Sequence, residues 1–179
     1  FTSEPSYLTR FLFKTHGDKF KLALSNVIVN MDYEPVPAET GFTDDASLQF
    51  QLSILSVELN HKQWSFTGEY ARRKIHFKNM FVNYVPPFLA KTVGESYYLQ
   101  LSYHINYKWK IVTRYDVLYQ NIDDKDGSEY AKDFSALGIT KPDYSRFAKD
   151  LTLGIQWSLN SSWMLQVELH SIDGTGWLP

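Results

Sequence analysis

The sequence contains no cysteine among its 179 residues, and its formal net charge is only −2 at pH 7. Without cysteine the chain has no disulfide framework, a property that fits an exported protein and equally a protein in a reducing compartment. A charge so close to zero creates no field that would recruit nucleic acid, so we expect no nucleic-acid partner. The length allows one ordinary domain or part of a larger one.

Long apolar runs are also lacking. No stretch approaches the roughly 18 apolar residues of a membrane helix, and the mean hydropathy is −0.33. These values would fit a soluble protein, yet they do not exclude a β-barrel, because half of every barrel strand is polar. No signal peptide begins at Phe1, so we expect a chain that starts after processing or within a longer protein.

Motifs of catalysis are absent from the sequence as well. It contains no nucleophile elbow, phosphate-binding loop or zinc-ligand spacing, and its five histidines do not cluster. Glu69 with Asp116, or Glu168 with His170, would offer acid–base pairs. Charged residues two positions apart are expected on any wet strand face, however, so we interpret the chain as non-enzymatic and expect neither a cofactor nor a metal.

Aromatic residues, in contrast, are abundant: the chain has twelve Tyr, twelve Phe and five Trp. Between residues 95 and 121 they follow a period of two. Odd positions are mostly apolar, from Tyr97 to Tyr107 and again from Trp109 to Tyr119, while even positions are mostly polar. With a turn near Lys108, this pattern predicts a long β-hairpin with one apolar face and one charged face.

The same alternation predicts six further strands, over residues 7–14, 19–33, 47–60, 64–77, 148–159 and 163–172. In the second and third strands the apolar positions change parity, near Asn26 and Leu55. If the two strands pair, these changes lie opposite each other and predict a local bulge. Residues 78–94 and 122–147 are predicted to be loops. The second is too long for an ordinary connection, so we expect it to be exposed or functional.

Short and long connections alternate strictly along the chain, with tight turns near residues 17, 62, 108 and 161. This asymmetry is typical of outer-membrane barrels, which have short periplasmic turns and long outer loops. Aromatic residues near the strand ends predict two girdles at the membrane interfaces. Their members are Trp64, Trp109 and Trp163 at the turn end, and Tyr33 and Tyr119 at the other end.

Charged and amide side chains recur on the opposite strand face. The candidate pore-lining residues are Arg10, Glu69, Arg73, His104, Lys110, Arg114, Asp116, Gln156, Glu168 and His170. In a dry core each buried charge would cost several kcal/mol, so we expect these side chains to face water. In a channel wall they would tune ion preference, although their mixed signs predict neither anion nor cation selectivity.

Alternation alone does not distinguish the inside of a barrel from the outside. A soluble, lipocalin-like barrel that binds an apolar ligand would place the aromatic face inside and the charged face outside. The girdle positions and the alternating connections favour the membrane barrel, and the soluble barrel stays the alternative.

Three segments resemble the later strands of Gram-negative outer-membrane porins, in particular general trimeric porins and phosphate-selective-porin-like proteins. They are WSFTGEYARRK (64–74), YYLQLSYHINYKWKIVTRYDVLYQNIDDKDG (97–127) and LTLGIQWSLNSSWMLQVELHSIDGTGW (151–177), and the likeness covers most of residues 47–177. The resemblance implies an all-β fold, an antiparallel transmembrane β-barrel. Residues 1–179 would form a single segment of about eight strands, within a barrel of up to sixteen. A closed eight-stranded barrel is the alternative.

The resemblance also implies a location and a role. The location is the bacterial outer membrane, with lipid and lipopolysaccharide around the barrel and a homotrimer as the assembly. The role is passive diffusion of small polar solutes or ions. Chains of this family usually end in a strand whose last residue is Phe, whereas this one ends at Pro179, so we expect a fragment.

Overall fold

Alternating side chains favour extended backbone, and the computed structural model forms strands wherever the sequence alternates. It describes residues 5–33, 46–78 and 87–177. The strands are β1 Tyr7–Lys14, β2 Phe20–Tyr33, β3 Ala46–His61, β4 Trp64–Lys78, β5 Lys91–His104, β6 Trp109–Tyr119, β7 Phe147–Ser158 and β8 Met164–Gly174. Each strand pairs with the next in one antiparallel sheet, in the order β1 to β8. The predicted all-β fold is confirmed.

The sheet is open. Strands β1 and β8 are its two edges and do not pair with each other, so the eight described strands do not close into the eight-stranded barrel that was the alternative geometry. Every residue of β1 is exposed, as expected of an edge strand with no neighbour on one side.

Helical segments are few and lie in the connections. The α-helix of the described ranges, α1, is Ser128–Ala136, and single 3-10 turns occupy His16–Asp18, Pro87–Leu89 and Asp143–Arg146. None of these segments combines the length and the apolar character that a bilayer-spanning helix needs.

The predicted bulge between the second and third strands is wrong. β2 pairs with β3 residue by residue from Phe20 opposite Leu59 to Tyr33 opposite Ala46, with no extra residue on either strand. A bulge would shift the register by one, and the register does not shift. The two parity changes do lie opposite each other, since Leu24 faces Leu55. The apolar side chains therefore pass from one face of the sheet to the other.

Two of the short turns are built in the same way by an asparagine. The Asn106 side-chain oxygen accepts a hydrogen bond from the backbone N–H of Trp109 at 3.0 Å, and Asn160 accepts one from Trp163 at 3.0 Å. Asparagine stabilises such turns because its short side chain mimics a backbone acceptor. Each turn consequently delivers a tryptophan to the start of the following strand.

Candidate functional site

All ten candidate pore-lining residues lie on one face of the sheet, which we call the Arg114 face. Directly opposed residues of antiparallel strands point to the same side. Arg114 is opposite Gln100 and Thr152, and Thr152 is opposite His170. Following the register through every strand places the whole set together: Arg10, Glu69, Arg73, His104, Lys110, Arg114, Asp116, Gln156, Glu168 and His170.

At the centre of this face, Arg114 forms a two-pronged ion pair with Asp116. Its Nε and Nη2 atoms donate to the two carboxylate oxygens at 2.7 Å and 2.6 Å. The guanidinium also lies 3.8 Å from the ring centre of Tyr98. The two side chains of the pair are 35% and 22% exposed, so they keep part of their hydration. This geometry fixes a cation on the face without removing it from water.

A second cluster surrounds His170. Its Nδ1 lies 2.8 Å from Asp150 Oδ2 and 3.2 Å from the Thr152 hydroxyl, and its Nε2 lies 3.5 Å from Glu168. The hydroxyl and the Asp150 carboxylate approach the same ring nitrogen, so the imidazole does not link a nucleophile to a carboxylate as a catalytic triad requires. Within the described ranges, no three His, Asp or Glu side chains are grouped to hold a metal ion.

The opposite face, the Leu99 face, carries large apolar side chains. Leu99 is 52% exposed, Leu153 53% and Leu169 71%. Soluble monomers rarely expose contiguous apolar patches of more than a few hundred Å². An apolar surface spread over several adjacent strands therefore indicates an apolar environment on this side of the sheet.

The three predicted girdle tryptophans all lie on the Leu99 face, along a sloping line. Trp64 is in the cross-strand row of Ile111, two residues above Trp109. Trp109 is in turn in the row of Leu165, two residues above Trp163. The line shifts by one residue, about 3.3 Å, for each strand width of about 4.8 Å, which corresponds to a strand tilt of about 35°. Barrel strands are typically tilted by about 35–45°.

Stacked partners reinforce this line. The rings of Trp109 and Trp157 are stacked with centres 5.2 Å apart, and Trp64 lies against Tyr103 with centres 4.5 Å apart. Trp157 was not among the predicted girdle residues, because it lies near the end of its strand instead of directly after a turn. Its place in the line follows from its pairing with Trp109 on the neighbouring strand. The sequence of one strand contains no information on that pairing.

Tyrosines mark the other limit of the apolar surface. Tyr70 is opposite Tyr97, and the next row joins Arg72, Glu95 and Tyr119. Tyr119 therefore lies at this limit of the apolar surface. Tyr33 pairs with Ala46 at the far end of β2, so the register does not place it in the row of Tyr119, with which it was predicted to form one girdle.

There are two tyrosine rows, Tyr70–Tyr97 and the adjacent row of Arg72, Glu95 and Tyr119, and the two faces exchange polarity from the second row onwards. On β4 the Leu99 face now carries Arg72, Lys74, His76 and Lys78, while the Arg114 face carries Ile75 and Phe77. On β3, the apolar residues Leu48, Phe50 and Leu52 are paired with Phe77, Ile75 and Arg73. These three β3 residues therefore also lie on the Arg114 face. One continuous sheet thus has an apolar Leu99 face near the short turns and a charged Leu99 face near the long loops.

No family model, curated protein or solved structure matches this chain. Its function is therefore assigned from the two faces of the sheet and from the boundary between them.

The segment after β8 folds back onto the Arg114 face. The Gly176 N–H donates to the carbonyl of Phe147 at 2.7 Å, and the Gln120 side chain donates to the Gly176 carbonyl at 2.9 Å. A Cβ atom on Gly176 would lie 2.7 Å from the Phe147 carbonyl carbon, so this approach needs glycine. Trp177 reaches a cavity of about 250 Å³ that Glu69 also lines. Nothing in the sequence indicated this contact.

The connection between β6 and β7 is largely exposed, as predicted, but it also contains α1 and a few buried residues. Asp124 is 7% exposed, and its carboxylate accepts hydrogen bonds from the N–H groups of Glu129 and Tyr130 at 3.1 Å and 2.9 Å. It thereby satisfies two free N–H groups at the start of α1. The Arg146 guanidinium lies 4.3 Å from the Tyr130 ring centre, and burial lowers the pKa of Arg146.

Proposed function

We propose that this chain forms part of the wall of an outer-membrane β-barrel, a porin-like channel for passive diffusion of small polar or ionic solutes. The observation that carries the proposal is the exchange of polarity at the tyrosine rows. Near the short turns, lipid would contact the Leu99 face and water in a lumen would hydrate the Arg114 face. Near the long loops, the outer surface becomes charged, as a wall emerging from a membrane into water should.

The height of the apolar surface supports this position in a bilayer. From Trp64 to Arg72 on β4, and from Trp157 to Lys149 on β7, the strands advance eight residues. On β6, Trp109 and Tyr119 are ten residues apart. These stretches measure about 26–33 Å along the strands and project to about 19–27 Å at a tilt of 35–45°. The apolar band of a membrane barrel is about 25 Å tall.

The charges of the Arg114 face support a water-filled pathway. Arg114 and Asp116 remain partly exposed, and Lys110 and Gln156 continue the same face towards the turns. Removing such charges from water would cost several kcal/mol each, whereas a lumen leaves them hydrated. Charged walls of this kind tune which ions pass without binding any of them tightly.

A closed barrel requires more strands than these eight. A bilayer offers no hydrogen-bond partners to a sheet edge, so the free edges of β1 and β8 would each need a neighbouring strand. We propose that these neighbours complete a larger barrel of up to sixteen strands, which assembles as a homotrimer in lipid and lipopolysaccharide. The neighbours would belong to a longer chain or to a second copy.

The soluble, lipocalin-like barrel is disfavoured by the same exchange of faces. It would enclose the Leu99 face, so its interior would be apolar near the short turns. Near the long loops, however, Lys74 and Lys91 would then lie inside and Ile75 and Phe77 outside. A site for one apolar ligand needs an interior that is mainly apolar, and not one that carries lysines near the long loops.

Detergent dependence tests the proposal directly. We expect the protein to fold in detergent micelles and to change its electrophoretic mobility on heating, because the sheet resists detergent until heat unfolds it. The measurement is gel mobility of heated and unheated samples, with circular dichroism of both. A protein that is monodisperse and folded in plain buffer would contradict the membrane barrel and favour the soluble one.

A further inference from the structure

We propose that an amphipathic groove on the Leu99 face, lying across the tyrosine rows, binds one anionic lipid through its phosphate headgroup. This inference rests on the proposed membrane-barrel function and assigns a lipid site on its outer wall. The groove joins an apolar end, on the side of the short turns, to a cationic end, on the side of the long loops.

The apolar end and the first cations belong to one cavity of about 340 Å³. Leu24, Leu55 and Tyr70 form one cross-strand row of its wall. The next rows towards the long loops place Ser53 beside Arg72, and Gln51 beside Lys74. Apolar side chains thus give way to amide, hydroxyl and cationic groups within two rows, about 13 Å along the strands.

A second cavity continues the groove towards the long loops. It has a volume of about 300 Å³ and shares Gln51 and Lys74 with the first. His76 and Lys91, which are opposite each other on β4 and β5, line its upper part together with amide groups. The cationic end therefore spans two strands.

The cations of the groove, Arg72, Lys74 and Lys91, form no ion pairs within the part of the chain that the structure describes. No carboxylate of the described ranges lines either cavity. The Glu95 carboxylate, opposite Arg72, already accepts hydrogen bonds from Lys125 and from the Tyr70 hydroxyl. This leaves a net positive surface that an external phosphate would complement.

The position of the groove identifies a lipid as the occupant. Tyrosine rings mark the level at which headgroups meet the apolar band, and the cations begin with Arg72, in the row next to Tyr70 and Tyr97. A headgroup phosphate would meet Arg72 and Lys74 while its acyl chain lies along Leu24 and Leu55. A free phosphate ion would leave the apolar end empty.

Native mass spectrometry of the detergent-solubilised protein, titrated with phosphatidylglycerol or phosphatidylcholine, tests this site. We expect the double variant Arg72→Gln/Lys74→Gln to bind phosphatidylglycerol about 30-fold more weakly than the wild type. The reason is that each lysine or arginine near an anionic lipid surface contributes a similar share of the binding affinity. The control Lys62→Gln/Lys108→Gln removes the same charge at the short turns and should bind like the wild type. Phosphatidylcholine should bind weakly to all three.

Three results would overturn the lipid site: unchanged phosphatidylglycerol binding by the folded groove variant, equal loss in the control, or full competition by inorganic phosphate, which would indicate a simple anion site. The heat-dependent gel shift shows whether each variant is folded. If the wild type itself does not fold in detergent, the membrane barrel fails and the lipid site with it. A folded barrel with unaltered lipid binding overturns only the lipid site.

Discussion

Leu99→Arg is expected to prevent assembly of the folded barrel, whereas Gln100→Arg, one residue further along β5, should leave it folded. Leu99 lies midway between Tyr103 and the Glu95 row on the apolar surface, so an arginine there would meet lipid. A cation on the lipid face near the bilayer midplane costs about 2–4 kcal/mol. Gln100 is opposite Arg114 on the other face, where an arginine would stay hydrated.

The measurement is the fraction of protein that reaches the folded, heat-sensitive form in lipid vesicles. A cost of 2–4 kcal/mol corresponds to a roughly 30-fold to 1000-fold shift of the folding equilibrium against Leu99→Arg. Both variants add one arginine to the same strand, so general effects of charge cancel in the comparison. If Gln100→Arg prevents folding while Leu99→Arg is harmless, the two faces are assigned the wrong way round.

Arg114→Glu is expected to move the reversal potential of the assembled channel towards cations. The substitution changes the wall charge by two units and leaves a carboxylate beside Asp116, which now loses its 2.6 Å partner. Screening at physiological salt extends over about 8–10 Å, so a permeating ion would feel the change. Folding should persist, because the side chain at this position keeps part of its hydration.

Planar-bilayer recordings under a salt gradient measure this shift. Lys78→Glu, at an exposed position of the Leu99 face at the end of β4, makes the same change of charge away from the Arg114 face and should move the reversal potential much less. An unchanged reversal potential in Arg114→Glu would contradict a lumen on this side. Loss of folding in Arg114→Glu alone would instead indicate that the Arg114 face is buried.

The strands followed from the sequence where one face is apolar and the other polar. The fourth strand was predicted over residues 64–77 and extends over Trp64–Lys78. β5 was misjudged at its beginning: on the Leu99 face the charged Glu95 lies in the row of Tyr119, and the charged Lys91 lies beyond that row. We therefore interpreted residues 91–94 as loop. Alternation is easily recognised only where the hydrophobic residues of a strand all occupy odd positions or all occupy even positions.

The parity change in β2 shows a physical limit of the same kind. A single strand does not distinguish an inserted residue from a real exchange of faces, because both shift the apolar positions by one. The pairing of Leu24 with Leu55 decides between them. Such information lies in the partner strand, which local patterns do not contain.

The candidate site divides in the same way. The side on which Arg114 and Glu69 lie followed from parity alone. The contact of His170 with Asp150 joins two strands, and the cavity that Trp177 and Glu69 both line joins segments more than a hundred residues apart. These contacts depend on register and on the path of a connection, so no periodicity in the sequence encodes them.

Scanning β4 with single cysteines tests the exchange of faces most directly. The chain has no cysteine of its own, so each introduced thiol is the only one. In lipid vesicles, a water-soluble thiol reagent should leave Phe66→Cys and Tyr70→Cys unlabelled and should label Glu69→Cys, Arg72→Cys and Lys74→Cys. On the Leu99 face, protection would thus end between Tyr70 and Arg72. Equal labelling of Phe66→Cys and Lys74→Cys, in either sense, would contradict a membrane boundary at the tyrosine rows.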